Sequence, residues 1–416
     1  MPIDFNRTPP RVSVPALPEP SKPFWAILLL VVMGAGAALT IAVWAPDFPT
    51  DTLWFWICLA VFPVLVWGFL LCAWLGYGHA RCIQALATNH VVEQIEQSCH
   101  DAASRPLAIL GNAWCFSSRD AENLLVGVLD GYLQVKTRPS RAMADSEVNA
   151  RWIEIPDEPL CPGNELDEHA RHKDVCEWLL QRLIGDLAEQ LNALPARTSL
   201  YVELHLRSKL EHAVVQTRLQ DLLVKKAPAL SVTIVEEQQG VQLFSTDAWF
   251  DDRDLGVAHL VVAIELRNAI SQVLSDGVAE MGAALLVGHP SLAQATPSPV
   301  LHLHRPARGS LDAIASTVGL AIRWGQTTIE RVSTAWAHGV SSEQSSATRK
   351  LASFPEQTKW IALETTVGDC SDSGVWLAVA LAAANAKSTG DPQLVLSHHD
   401  GELVALVCRK PDMSER

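Results

Sequence analysis

The sequence predicts an α/β domain carried on a pair of membrane-spanning helices. Three observations predict it. Two long apolar runs without a charged residue lie near the N-terminus. Downstream, strand-like apolar runs alternate with amphipathic helical stretches. Late in the chain a Gly/Asp/Ser loop, VGDCSDSG, opens directly into an Ala-rich apolar helix.

Residues 24–45, FWAILLLVVMGAGAALTIAVWA, and 53–76, LWFWICLAVFPVLVWGFLLCAWLG, would each span roughly 30 Å or more at ~1.5 Å per residue. Residues 24–78 are therefore expected to form a transmembrane hairpin. A cleaved leader has a shorter apolar region close to the first residue, whereas here a polar, Pro-rich stretch, residues 1–23, comes first. That stretch is expected to be a disordered cytoplasmic arm. Trp25, Trp44, Trp54, Trp56 and Trp74 lie near the segment ends, where amphipathic rings favour the headgroup zone. The connection PDFPTDT carries Asp47 and Asp51 and no base, while Arg7, Arg11 and Lys22 precede the first span and Arg81 follows the second. The positive-inside bias puts both termini in the cytoplasm, with the hairpin in a bacterial inner membrane. Gly34 and Ala38 are expected to let the two helices approach closely, and Pro63 to kink the second one mildly.

Nine cysteines are scattered as singles at 58, 72, 82, 99, 115, 161, 176, 370 and 408, which fits a reducing compartment better than a disulfide framework. A formal net charge of −14 and the lack of any basic stripe argue against a nucleic-acid partner.

In the soluble part, residues 79–104 read as a juxtamembrane helix, with Ile83, Leu86, Val91, Ile95 and Cys99 at near-helical spacing up to Arg105–Pro106. Strand-like LAILGNA, SLYVELHL, LSVTIVEE and LVVAIEL then alternate with helical DAENLLVGVLDGYL, CEWLLQRLIGDLAEQLNAL and LEHAVVQTRLQDLLVKKA. Such alternation predicts a sheet with helices packed on it. Residues 134–174, rich in proline and charge, read as an excursion over the surface. A second half begins near Pro299 with VLHLHRP and ends in QLVLSHHDGELVALVCR, where Asp400-Gly401 between two strands predicts a β-hairpin.

The order of these elements, over roughly residues 105–411, resembles the β-ketoacyl synthase, or thiolase-like, family. PLAILGNAWCFSSRDAENLLVGVLDG is similar to the opening strand, loop and helix. GVAEMGAALLVGHP is similar to the strand closing the first half, and AWAHGVSSEQSSATRKLA and TTVGDCSDSGVWLAVALAAANA are similar to two loops that carry catalytic histidines. The resemblance implies a five-layered fold of two related α/β halves, here residues 105–296 and 297–416. It implies a catalytic position at His338, and it places Asp369 where a second histidine would stand. An ionised carboxylate there would repel a developing oxyanion that two imidazoles would stabilise. The family's nucleophile is a cysteine before a buried helix in the first half, and no cysteine lies between Leu200 and Leu266. Without it no acyl-enzyme forms. His338 and Asp369 are then expected to be vestigial positions in a chain that is not an enzyme.

Other motifs have plainer readings. DCSDSG suggests a hydrolase with Ser373 as nucleophile and His338, His398 or His399 as base, but capping of the Ala-rich helix by Asp372 explains it more simply. Cys161, His169, His172 and Cys176 have adequate spacing for Zn²⁺, yet lie in what reads as a charged surface loop. Asp251, Asp252 and Asp254 lack the calcium-loop pattern and read as an exposed turn. The HLH at 302–304 and the HH at 398–399 read as histidines pointing one way from edge strands, and the leucine stripe of LQRLIGDLAEQLNAL as packing on its own sheet. No cofactor or metal is expected.

The function expected from this is an inner-membrane-anchored thiolase-like pseudoenzyme that works as an adaptor or scaffold for a protein partner. By fold-level analogy this extends to recruitment of a lipase effector to a type VI secretion system. A membrane-tethered acyl-condensing or acyl-transfer enzyme with His338 as base, and an acyl-ligand sensor, are the alternatives. Two copies would pair as a homodimer through LSVTIVEE.

Overall fold

The computed structural model describes residues 9–156, 158–196, 198–235, 243–252, 254–295, 300–399 and 401–411. The chain divides into two units, residues 3–100 and 101–416. In the first, α1 (Lys22–Val43) opens with a proline in its first turn, where no amide donor is needed. Thr52 accepts the Phe55 amide to start α2 (Leu53–Trp56), a π turn follows over Ile57–Val61, and α3 runs over Phe62–Ala103. The second span and the expected juxtamembrane helix are therefore one rod, Leu53–Ala103. The π turn directly precedes Pro63, whose missing amide and crowded ring widen that turn, so the helix continues where a kink was expected. Both apolar helices are long enough to cross a membrane.

Close approach in the hairpin occurs at Gly36 rather than at Gly34. A Cβ on Gly36 would lie 2.3 Å from the Pro63 ring, while a Cβ on Gly34 would meet nothing within 4 Å. Thr40 Oγ1 reaches the Cys58 carbonyl at 3.3 Å and Trp67 Nε1 the Trp25 carbonyl at 2.9 Å, tying the two helices. The arm, expected to be disordered, is pinned over its described residues. The Val12 amide and carbonyl bond the two ends of the Asn89 side-chain amide at 2.8 Å, and Arg11 pairs with Glu96. A single side-chain amide satisfies both backbone groups of Val12, which a solvated arm leaves to water.

The second unit begins with β1 (Leu107–Cys115). The helix expected in DAENLLVGVLDGYL breaks into a 3-10 turn, Asp120–Asn123, and a short α4 (Leu125–Leu129). Asn123 turns inward to accept the Phe116 and Ser117 amides, competing with helix formation. Residues 134–174 run over the surface only in part: β2 (Thr137–Pro139) and β3 (Glu147–Asn149) form a hairpin, and Arg151, Trp152 and Ile153 are buried. The Ile153 amide donates to the buried Glu280 carboxylate at 2.8 Å, which holds the strand-like segment inside. Within the same stretch α5 (Glu165–Asp186) starts on an Asn164/Asp167 capping box, and α6 (Ala188–Ala193) follows. The leucine stripe, Leu179, Leu183, Leu187 and Leu191, packs with Leu260 and Leu286 of the sheet.

The first half continues with β4 (Ser199–Arg207), α7 (His212–Lys226), β5 (Ser231–Ile234), β6 (Val257–Glu265) and β7 (Met281–Gly288). The second comprises β8 (Leu301–Leu303), β9 (Ala307–Ser310), α8 (Ile314–Trp324), β10 (Thr334–His338), α9 (Ser342–Leu351), β11 (Lys359–Ala362), α10 (Leu363–Thr366), α11 (Gly374–Thr389), β12 (Gln393–His399) and β13 (Glu402–Arg409). The strands form one sheet in the order β11-β10-β12-β13-β8-β1-β7-β6-β4-β5, with β9 also on β13. Split between β8 and β1, this order repeats: β5-β4-β6-β7-β1 answers β11-β10-β12-β13-β8. In each half the first three strands are parallel and the last two antiparallel. Two related halves are what the resemblance implies. The final hairpin forms as expected, with Gly401 at φ 81°; Asp400 lies outside the described residues.

α11 is buried along nearly its whole length and packs against strands of both halves. The resemblance implies a matching buried helix between β5 and β6. The described chain has instead a 3-10 stretch, Leu243–Asp251. A column of rings stands beside α11: Tyr201 and Trp249 flank His259, and Trp249 and His205 flank Trp376. The HLH histidines are not on an edge, because β8 lies between β1 and β13 and His304 is fully buried.

Candidate active site

His338 is the last residue of β10 and is 7% exposed. Gly339 turns the chain at φ 67°, where a Cβ would sit 2.6 Å from the His398 carbonyl oxygen, so only glycine fits. His338 Nδ1 lies 3.1 Å from Glu364 Oε1, which also accepts the Gly339 amide at 2.6 Å. Burial acts to raise the Glu364 carboxyl, but the His338 bond and the Gly339 amide outweigh it and hold the group below the ordinary range. Nδ1–H donation to this carboxylate leaves Nε2 of the neutral ring as the acceptor, the tautomer a general base requires. The ring rests on Gly374, where a Cβ would meet it at 2.6 Å, so the imidazole abuts the positive end of α11.

The loop before α11 is held from the first half. The Asp369 amide donates to the Gly277 carbonyl at 2.7 Å, and the Ala279 amide to the Asp369 carbonyl at 2.8 Å. The Asp369 carboxylate accepts the Ser371 amide at 2.8 Å and does not line the cavity beside His338. Ser371 is left-handed at φ 47°, with its Oγ accepting from Arg267 at 2.6 Å. Such strain in a non-glycine residue persists only where the surroundings impose it. Asp372 does not cap α11, as was expected: it faces His399 Nδ1 at 3.3 Å, and the cap position, Ser373, makes no side-chain capping bond. A cavity of about 20 Å³ is lined by His338, Asp372, Ser397, His398, His399 and Glu402 among others. His338, His398, His399 and Asp372 of the sequence-derived candidates thus converge, while Ser373 is buried outside this cavity. Glu364 and Ser397 were missed because nothing local marks them. Glu364 comes 26 residues after His338, and strand pairing alone brings Ser397 beside it.

A second carboxylate, Glu265 at the end of β6, is fully buried. Burial pushes it up to about 7, although Arg267 at 3.1 Å and Arg207 at 3.6 Å oppose the rise. The folded state therefore keeps this proton to about pH 7, whereas the unfolded chain releases it near pH ~4.3. A raised carboxyl makes folding less favourable as pH rises through that window. Glu265→Gln is expected to raise the melting temperature at pH 8 and leave it nearly unchanged at pH 4. Thermal unfolding at the two pH values checks this, and an equal shift at both would count against it.

The other candidates do not assemble. His172 is buried, its Nδ1 accepting the Lys209 amide and its Nε2 donating to the Arg267 carbonyl, each at 3.0 Å. Cys176 is buried and pushed up to about 12, Cys161 is exposed, and no metal-holding group of side chains occurs among the described residues. Asp251 pairs with the buried Arg305, while Asp252 and Asp254 accept backbone amides within their own turn. Cys115 and Cys370 are buried; burial pushes the first thiol up to about 11 and raises the second further, so neither is poised as a thiolate.

No family model and no curated protein matches the sequence. Among solved structures the chain is similar to OleA of Xanthomonas campestris, at 12% identity and TM-score 0.45 over 73% of this chain and 98% of that one. It is also similar to the ishigamide ketosynthase/chain length factor, at 14% identity and TM-score 0.45 over 74% and 100%. A third is a priming β-ketosynthase of a polyketide pathway, at 15% identity and TM-score 0.44 over 74% and 97%. The expectation that the chain is not an enzyme is corrected, because its premise of a vestigial His338 does not fit the geometry of the site. The site itself holds a histidine fixed by a carboxylate at 3.1 Å.

Proposed function

We propose that the chain is a membrane-anchored acyl-transfer or acyl-condensing enzyme, with His338 as general base at the N-terminus of α11. The observation that carries this reading is the buried His338 ring held at 3.1 Å by the partly exposed Glu364, with the ring against the helix end. The carboxylate fixes the tautomer, the helix end favours a developing oxyanion, and partial burial excludes bulk water. The test is incubation of the detergent-purified full chain with short- and long-chain acyl thioesters, following thiol release. Steady release above the uncatalysed rate is expected, and none with any donor would overturn the reading.

A second reading is an adaptor that binds a protein partner, extending to effector recruitment in a type VI secretion system. In its favour is a cavity of about 300 Å³ between α5 and α7, lined by Leu180, Leu210, Val214 and Val215 with charged residues at its rim. Apolar pockets rimmed by polar side chains suit partner segments. The anchor, on either reading, lies in a bacterial inner membrane with both termini cytoplasmic. Reporters fused before Met1 and after Arg416 are expected to give cytoplasmic signals, and a periplasmic signal from the C-terminal fusion would refute this topology.

A further inference from the structure

The sequence offers no cysteine where the family resemblance implies a nucleophile, and burial raises the thiol of Cys370, which lies beside Gly374. The hydroxyl side chain that the fold sets beside His338 is Ser397. β10 and β12 are parallel neighbours with His338 and Ser397 in register, and paired strands lie ~4.8 Å apart. Both side chains stand on the face that packs α11. Trp336, two residues before His338, and Gln393, four before Ser397, bond each other at 3.2 Å, and Asn385 of α11 bonds Gln393 at 2.7 Å. His338 and Ser397 line one small cavity and are each less than one-tenth exposed. Glu364 holds Nδ1 of His338, which leaves Nε2 to serve a hydroxyl in the cavity that Ser397 also lines.

We infer that Ser397 is a nucleophile that takes up an acyl group from an ester or thioester and gives it to water. This rests on the reading of His338 as a base and goes beyond it by naming the acylated atom and the acceptor. In the first step Ser397 Oγ forms a bond to the acyl carbonyl carbon while its proton passes to His338 Nε2. The tetrahedral intermediate then expels the thiolate or alkoxide, which leaves with that proton. In the second, water attacks the acyl-serine carbonyl, His338 takes the water's proton, and Ser397 Oγ departs and recovers it as the carboxylic acid is released. No oxidant or further reactant is needed. Water is the acceptor that the polar lining beside His338 can hold. The cavity shared by His338, Ser397, Asp372 and His399 is about 20 Å³, room for about one water molecule. Its polar lining provides partners for that water, and Asp372 and His399, facing each other at 3.3 Å, are its other titratable walls together with His398 and Glu402.

The test uses the full chain in detergent and a fluorophosphonate, which modifies an activated serine without requiring turnover. Peptide mass analysis is expected to place the adduct on Ser397, Ser397→Ala to abolish it, and His338→Ala to slow it at least tenfold, with melting temperatures showing that both variants are folded. Ser397→Cys is expected to retain a covalent acyl group after incubation with an acyl thioester. An adduct on another residue, or none on folded protein, would overturn the inference. If Ser397→Ala keeps full His338-dependent thiol release, the inference fails and the acyl-transfer reading stands. If thiol release is absent yet Ser397 is labelled in a His338-dependent manner, the nucleophile stands and the thioester donor is wrong.

Discussion

His338→Ala is expected to lower the rate of acyl thioester turnover by about 10²- to 10⁴-fold, the range for a positioned general acid–base group. The effect should be on chemistry and not on folding. The ring makes its polar contact with Glu364 at a half-buried edge and meets α11 through glycine, so its removal leaves one small gap rather than an unpaired buried charge. Glu364→Gln is the informative companion. It keeps the shape and an acceptor for the Gly339 amide but removes the charge that stabilises the imidazolium. A smaller loss in turnover than that of His338→Ala is expected in the same assay, because the ring stays in place and loses only the charged partner of Nδ1. Equal turnover in wild type and His338→Ala, with both folded, would exclude His338 as the base.

Arg171→Ala is expected to destabilise the second unit by about 3 to 5 kcal/mol, the penalty for breaking a buried ion pair by removing one partner. Arg171 reaches Glu280 through Nη2, at 2.6 Å to each oxygen, and Glu168 through Nη1 at 3.2 Å, while both carboxylates are fully buried. Glu280 also accepts the Ile153 and Arg267 amides, and Glu168 those of Ile270 and Ser271. One guanidinium therefore joins α5, the residue just before β7 and, through the Arg267 carbonyl, the segment after β6. Burial acts to raise the Glu168 carboxyl, but His172, the two amides and Arg171 outweigh it and hold it at about 2. A depressed carboxyl contributes stability that is present above its unfolded value and lost as pH falls toward 2. Arg119→Ala, which removes an exposed pair with Glu122 at 3.6 Å, is the control and should change stability by less than about 1 kcal/mol. Denaturant unfolding of both variants decides it; similar small losses would mean that the buried cluster is not a structural centre.

Periodicity and composition alone determined the elements whose signal is local. The two charge-free runs became the two long helices, because a run of apolar side chains needs no tertiary partner to declare itself. The strand-like runs from SLYVELHL to VCR and the amphipathic α7 are where alternation and leucine spacing put them, while α5 begins 11 residues before the expected CEWLLQRLIGDLAEQLNAL. The turn at Gly401 and the buried Ala-rich helix were likewise legible. Tertiary structure decided whatever depends on a distant partner. Residues 147–153 look like polar surface in sequence, yet they are drawn inside by Glu280 and the bridge to Ala279. Gly36 rather than Gly34 meets the second helix because Pro63 happens to face it, and Asp372 leaves the cap to face His399. The site shows the same division. His338 and its glycine turn stand out as a motif, but Glu364 and Ser397 are ordinary residues until parallel pairing of β10 with β12 and the turn into α10 bring them to one point. Backbone pairing across the sheet sets those neighbours, and a linear pattern carries no record of it.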